Sequence, residues 1–376
     1  MQQAIPAVWM RGGTSKGLFF HDRDLPQGQT ERDALLLRAI GSPDPYRNQM
    51  DGLGGATSST SKVVIISASE RDDCDIDYFF GHVPINGSQI DTSGNCGNLS
   101  AAVGPFAIDE GLVAAQEPIT TVRIWQANIG KRIVARVPVK NGIAQTQGDF
   151  VMDGVAFSGA AIELGFEDVG GCENAAVLPT GNIIDTLDIP GIGQIDTSLI
   201  NAGNAAVFIR ASDLGLSGTE KSDDLNKQPD VLAQLQTIRA HATVAMGLTE
   251  TPAQAEAQRP ATPKIHWLGP ARAYETGNNS QIMQSEIDLC ARALSMGRAH
   301  HAYPGTSAVA TAVAAAIPGS IAQQMHNAKH GLRIGHAAGS MEIHAHVLQI
   351  GGQWTAPLVQ LKRSARRLMR GTVFVP

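Results

Sequence analysis

Four cysteines in 376 residues, at positions 74, 96, 172 and 290, include no CxxC or CxxxC pair. Structural zinc and iron–sulfur centres need at least one closely spaced pair, so no metal site is expected. A disulfide framework is equally unexpected in a large cytosolic chain. Basic charge is also in short supply: 29 Lys and Arg face 35 Asp and Glu, a net charge of −6. A nucleic-acid binder needs a basic face, and composition offers none. The densest basic run, "KRSARRLMR" at 362–370, is short and suits a small anion at most. No apolar stretch reaches the roughly 18 residues a membrane-spanning helix requires. The N-terminal "MQQAIPAVWMRGG" lacks the charged-then-apolar plan of an export signal. No membrane partner and a cytoplasmic location follow as expectations.

What is present is 43% hydrophobic, with 17% charged residues. That is enough for two cores of ordinary size. Segments 60–67, 121–142, 205–211, 263–269 and 371–376 are β-branched or aromatic runs bounded by Gly, Asn or Pro, and read as strands. The span 121–142 turns on itself as an antiparallel hairpin. Two segments, 97–112 and 305–317, read as helices apolar on every side, and such helices belong inside something. Pro105 should kink or shorten the first. Segment 223–248 is an amphipathic, peripheral helix with Leu232, Leu235, Ile238 and Ala242 on one face, and 289–302 reads as a short helix. The two buried helices, each entered through Gly and small polar residues, form a weak internal repeat of sheets wound around a central helix. "MRGGTSKG" (10–17) and "INAGNAAVF" (200–208) are a second near-repeat.

The chemistry concentrates in a few short stretches. In "SGNCGN" (93–98), Cys96 sits between Gly-Asn pairs at a helix mouth. Free amides and the positive helix end there favour an anion or a reactive thiol, although a buried small side chain would fit the same pattern. "MRGGTSKG" lacks the spacing of a phosphate loop. Arg11 with Gly12, Gly13, Thr14 and Ser15 still suits a carboxylate, against the plainer reading of a Gly-rich turn. Lys62 follows the hydroxyl run "TSSTS" and leads an apolar strand, where a lysine that loses hydration becomes a usable base. A solvated strand-end lysine is the ordinary alternative. Adjacent His300 and His301 would diverge on a helix. His344 and His346 share a strand face but lack a third ligand, so no metal is assigned to them.

Together, "MRGGTSKGLFF", "GSPDPYRNQMDGLGGATSSTSK", "SGNCGNLSAAVG", "TVRIWQANIGK", "RALSMGRAHHA" and "KRSARRLMRGTVFVP" resemble the PrpF family of 2-methylaconitate cis-trans isomerases along almost the whole chain. The resemblance implies an α+β, diaminopimelate-epimerase-like fold: two pseudo-symmetric domains, each a curled sheet or barrel around a central helix, with the active site between them. Domains at 1–150 and 151–367 are expected, the last strand (368–376) returning to the first. Lys62 and Cys96 fall on the family's proton-transfer pair. Arg11, Gly12, Gly13, Thr14, Ser15, Ser93, Gly94, Asn95, Gly97, Asn98, Gly305, Thr306 and Ser307 fall on its substrate-binding loops. Pro304 stands where the epimerases carry a second catalytic cysteine, and proline exchanges no proton, so two-thiol racemisation is excluded.

The expected reaction needs no cofactor. Neutral Lys62 takes an allylic proton from a small tricarboxylate alkene, loop amides and Arg11 hold the dienolate, and Cys96 returns or relays a proton. Related readings within the family are a 4-oxalomesaconate tautomerase and a methylitaconate isomerase. A reading of another class is a non-catalytic accessory protein for an iron–sulfur dehydratase. A homo-oligomer and a functional link to an iron–sulfur methylcitrate dehydratase are left open.

Overall fold

The computed structural model describes residues 2–171, 176–326, 328 and 331–376. Cys172 lies outside the described residues. In chain order the elements begin with β1 (Gln3–Gly12), β2 (Ser15–His21), α1 (Gln29–Ile40), β3 (Lys62–Ala68), β4 (Ile76–His82), α2 (Ser100–Asp109), β5 (Ile119–Gln126), β6 (Lys131–Lys140), β7 (Ile143–Ala144) and β8 (Ile162–Glu167). They continue with β9 (Asp185–Ile189), β10 (Gly193–Ala202), β11 (Asn204–Arg210), α3 (Ser222–Leu225), α4 (Pro229–Ala245), α5 (Pro252–Gln258), β12 (Lys264–Pro270), β13 (Tyr274–Glu275), β14 (Gln281–Ile282), β15 (Leu289–Ser295) and β16 (Arg298–Ala299). The chain closes with α6 (Gly305–Ala315), α7 (Ile321–Gln324), β17 (Leu332–His336), β18 (Gly339–Ile350), β19 (Gln353–Arg363) and β20 (Ala365–Val375). Two units result: Met1–Leu164 with Lys362–Pro376, and Gly165–Leu361.

In the first unit the strands pair in the order β20, β1, β2, β3, β4, β5, β6, β7. The sheet curls around α2, which lies against β1 and β20 as well as β5, β6 and β7. All of Ser100–Ile108 is buried, as an all-apolar helix demands. Side chains alternate along β2: Phe19 meets Phe106 of α2 at 5.5 Å between ring centroids. Leu18 and Phe20 point the other way, into a cluster with Leu35, Leu36 and Ile40 of the outer helix α1. Burial on both faces explains why β3 reads as a continuous apolar run.

The second unit repeats the plan. α6, buried along its whole length, lies against β10, β11, β17 and β18. Leu235, Ile238 and Ala242 of α4 cover the outer face over Val207, Ile209, Ile265 and Trp267. Pairing repeats too. From β1 to β6 the successive contacts run antiparallel, parallel, antiparallel, parallel, antiparallel. The series β10, β11, β12, β15, β17, β18 runs in the same order. The near-repeats at 10–17 and 200–208 are the equivalent β1–β2 and β10–β11 hairpin turns. Gly13 and Gly203 supply the positive φ at each, +53° and +70°.

Several expectations are corrected. Segment 289–302 is not a helix but β15 and β16, paired as a hairpin through Met296 and Gly297, whose φ values of 52° and 75° match a type I′ turn. Its Ala and Leu content suggested a helix, but β15 is buried on every residue between β12 and β17, so no alternation survives in the sequence. His300 and His301 are off any helix and stack, with ring centroids 4.7 Å apart. Segment 223–248 breaks into α3 and α4 because Pro229 has no N–H to continue a helix and instead starts the next one. Its predicted face does pack inward. α2 begins at Ser100 rather than Gly97, residues 97–99 forming a preceding turn, and it runs through Pro105 to Asp109.

Candidate active site

Lys62 is the first residue of β3 and shares the α2-facing side of that strand, since Val63 and Ile65 belong to the outer cluster. The loop before it is held by side chains. Asp44 accepts main-chain N–H groups of Tyr46, Asn48 and Gln49. The buried Gln49 amide then ties Ser42, Ala56 and Ser61 together at 2.7–3.0 Å. Lys62 therefore enters the sheet from a braced loop rather than a solvated strand end, and is only 7% exposed. Its Nζ donates to Ser15 Oγ at 2.9 Å and to Cys96 Sγ at 3.4 Å.

Cys96 stands at the head of α2. Its sulfur also accepts the Leu99 N–H at 3.4 Å, so the helix end points an amide at it. Its carbonyl accepts from Ser100 N at 3.0 Å, Ser100 Oγ at 3.0 Å and Tyr78 Oη at 3.4 Å. Burial, reinforced by the neighbouring thiol, pushes the Tyr78 phenol well above 10, so it remains a neutral donor.

Asn98 links the helix head to the β1–β2 turn, its Nδ2 donating to Thr14 Oγ1 at 3.0 Å. On its other side Arg363 Nε donates to Asn98 Oδ1 at 3.4 Å, while an Arg363 terminal nitrogen donates to the Lys362 carbonyl at 3.0 Å. Burial lowers Arg363 to about 10, which leaves it a cation at neutral pH. Gly13 packs directly on the Asn98 side chain. Arg11 commits one nitrogen to two carbonyls, Gly13 O at 3.1 Å and Ser364 O at 2.9 Å. Burial first, and then Arg366, lowers its pKa. Ser93 directs its N–H and hydroxyl to Asp91 Oδ1, at 2.9 and 2.5 Å. Gly94, Asn95 and Gly97 are buried in the same loop as Cys96.

The first unit thus brings together residues 11–15, Lys62 and residues 93–98, which lie far apart in sequence. In the second unit Gly305, Thr306 and Ser307 form the first turn of α6, which has no side-chain cap because Pro304 precedes it. Asn204 Nδ2 donates to Thr306 Oγ1 at 3.2 Å, mirroring the Asn98–Thr14 link of the first unit with the roles exchanged. Ser307 Oγ is buried with no hydrogen-bond partner among the described residues. Gln49, Tyr78 and Arg363 were not foreseen. The basic run 362–370 was a signal for Arg363, but nothing in the sequence marked which arginine turns inward.

Other polar groups stay apart from this chemistry. Burial, with Asp73 adding to it for Cys74, raises the thiols of Cys74 and Cys290. His344 pairs with Glu342 at 3.1 Å on an exposed strand face. Among the described residues no group of three or more His, Cys, Asp or Glu could hold a metal ion, and no helix is long and apolar enough to cross a membrane.

Two curled sheets, each closed around a buried helix, are also the architecture of a hydroxyproline epimerase from Agrobacterium vitis, solved with bound trans-4-hydroxy-L-proline. The TM-score is 0.59 at 12% identity, covering 100% of this chain and 94% of that one. The fold is α+β and diaminopimelate-epimerase-like. A family model described as PrpF protein matches residues 2–376, and the chain belongs to that family. A 2-methyl-aconitate isomerase of Shewanella oneidensis is 48% identical over 390 residues, covering 100% of this chain and 98% of the relative. One of Cupriavidus necator is 46% identical over 388 residues, with the same coverage. The crystal structure of a methylitaconate-delta-isomerase superposes with a TM-score of 0.79 at 41% identity, covering 100% of this chain and 96% of that one.

Proposed function

We propose that this protein interconverts 2-methyl-trans-aconitate and 2-methyl-cis-aconitate by an allylic proton shift that uses its own side chains. The observation that carries the reading is the buried contact between Lys62 Nζ and Cys96 Sγ at the head of α2. The Lys62 amine takes a proton from the substrate methyl group. The electron pair of the broken C–H bond delocalises through the former double bond into the conjugated carboxylate as a dienolate. The central bond, now single, rotates. Return of a proton to the methyl carbon, from Lys62 or through Cys96, restores the alkene in the other geometry. Amides at the helix head and nearby cations stabilise the developing charge, which exists only along the reaction path.

Similarity to two proteins named for this activity supports the substrate over its neighbours in the family. The same reading keeps a link to an iron–sulfur dehydratase, because removal of water from a methylcitrate yields an alkene tricarboxylate of this class.

The test is proton NMR of the purified protein with 2-methyl-trans-aconitate in D₂O, beside Lys62→Ala. Formation of the cis isomer with deuterium in its methyl group, absent from the variant, is expected. No isomer from the wild-type chain would defeat the reading. Turnover of 3-methylitaconate or 4-oxalomesaconate in its place would move the substrate assignment within the family. No turnover of any of them would favour an accessory role.

A further inference from the structure

The internal repeat supplies a comparison within one chain. Gly17, the third residue of β2, lies against the Lys62 carbonyl. Ala206, the third residue of β11, is in register with Lys264, the first residue of β12. Lys62 and Lys264 therefore occupy the same position in the two units, both buried, both opposite in side from the outer core cluster. Their amines are held differently. Lys264 Nζ donates to the Ala261 carbonyl at 2.8 Å, in the turn just before its own strand. Asn204 opens β11 as Ser15 opens β2, and Pro304 directly precedes the first turn of α6. The first unit supplies both a hydroxyl and a sulfur to its lysine.

A neutral amine has two N–H bonds and one lone pair arranged about the Cε–Nζ axis. Two acceptors on two of the three positions leave the lone pair in the third. Ser15 Oγ at 2.9 Å and Cys96 Sγ at 3.4 Å are two such acceptors. Ser15 is 2% exposed and starts β2, which fixes its backbone beside Lys62. We infer that Ser15 is a positioning residue for Lys62: with Cys96 it takes the two N–H bonds of the neutral amine and aims the lone pair. This rests on Lys62 acting as the base. Ser15 then acts through Lys62 rather than by holding substrate. Without it the amine turns about its own bond, and the lone pair faces the substrate for only part of the time.

The experiment measures kcat and KM for 2-methyl-trans-aconitate with the full chain, for wild type, Ser15→Ala, Ser15→Cys and Lys62→Ala, each with a thermal melt. Misalignment of a catalytic group should lower kcat of Ser15→Ala about 10- to 100-fold while KM moves by less than about threefold. Ser15→Cys, close in volume but a weak acceptor, should fall in the same direction, and it carries the test if the alanine variant melts early. A kcat for both variants within about twofold of wild type would overturn the inference. So would a rise in KM at unchanged kcat, which would make Ser15 a binding group. An active Lys62→Ala would defeat the parent reading. An inactive Lys62→Ala beside unaffected Ser15 variants would defeat this inference alone.

Discussion

Lowering the pH from 7.5 to 5 should weaken the second unit through one residue, His266. Its imidazole stacks on Phe208 with centroids 4.7 Å apart and meets the edge of Tyr303, next to the Pro304 that opens α6. One ring nitrogen bonds the Val207 carbonyl at 3.1 Å, and the other has no hydrogen-bond partner among the described residues. Burial, with Lys264 adding to it against the Val207 bond, lowers the pKa from 6.5 to about 3. Between those two values the unfolded chain binds a proton that the folded chain refuses. Stability from this residue is therefore fully present above about 6.5 and is lost as pH falls. At pH 5 nearly all the unfolded imidazole is charged and almost none of the folded one, a cost of about 2 kcal/mol relative to pH 7.5. For a unit of roughly 200 residues that corresponds to about 4–8 °C in Tm. The assay compares thermal or urea unfolding of wild type and His266→Asn at both pH values. Asparagine keeps a donor near the Val207 carbonyl but cannot charge. The variant is expected to lose less stability than wild type on acidification, whatever its stability at pH 7.5. Equal losses in the two proteins would refute the reasoning. Carboxylates whose pKa the fold lowers, such as Asp288 beside Arg333, give way at lower pH and are common to both proteins.

Gly13→Ala should cost about 1–2 kcal/mol from the left-handed backbone alone. The new methyl group would also meet the Asn98 side chain, so a lowered Tm together with a raised KM is expected; an unchanged KM would separate the turn from substrate binding. Arg363→Met should destabilise the first unit, and a double-mutant cycle with Asn98→Ala should show coupling of about 1–3 kcal/mol, as for a hydrogen bond to a charged group. Additive effects in chemical unfolding would mean that the 3.4 Å contact does not hold Asn98 in place.

Where local chemistry alone decides a structure, the residues were informative. The hairpin at 121–142, the two all-apolar helices and the strands that begin at Lys62 and Lys264 follow from patterning that any tertiary setting would keep. Cys96 at a helix head was legible because Gly-Asn pairs and an Ala-rich run announce a helix end. Burial on both faces removes alternation. β15 lost its strand signal in this way, and its Met-Gly turn carries none of the usual Asn-Gly chemistry. The roles of Tyr78 and Gln49 depend on what folds against them: Tyr78 reaches the Cys96 carbonyl from β4, and Gln49 braces the loop before Lys62.

The sequence by itself determined the two buried helices, the repeat and the residue types available for proton transfer, because those depend on composition and short-range spacing. Only the tertiary structure decided that Ser15, Lys62 and Cys96 meet, that Arg11 spends a nitrogen on main-chain carbonyls, and that Arg363 alone of its basic run turns in to Asn98. Those meetings join residues 47 and 34 positions apart and a helix head to the returning C-terminal chain. Contacts at that separation are set by how a curled sheet closes on its helix, and no local preference encodes the closure.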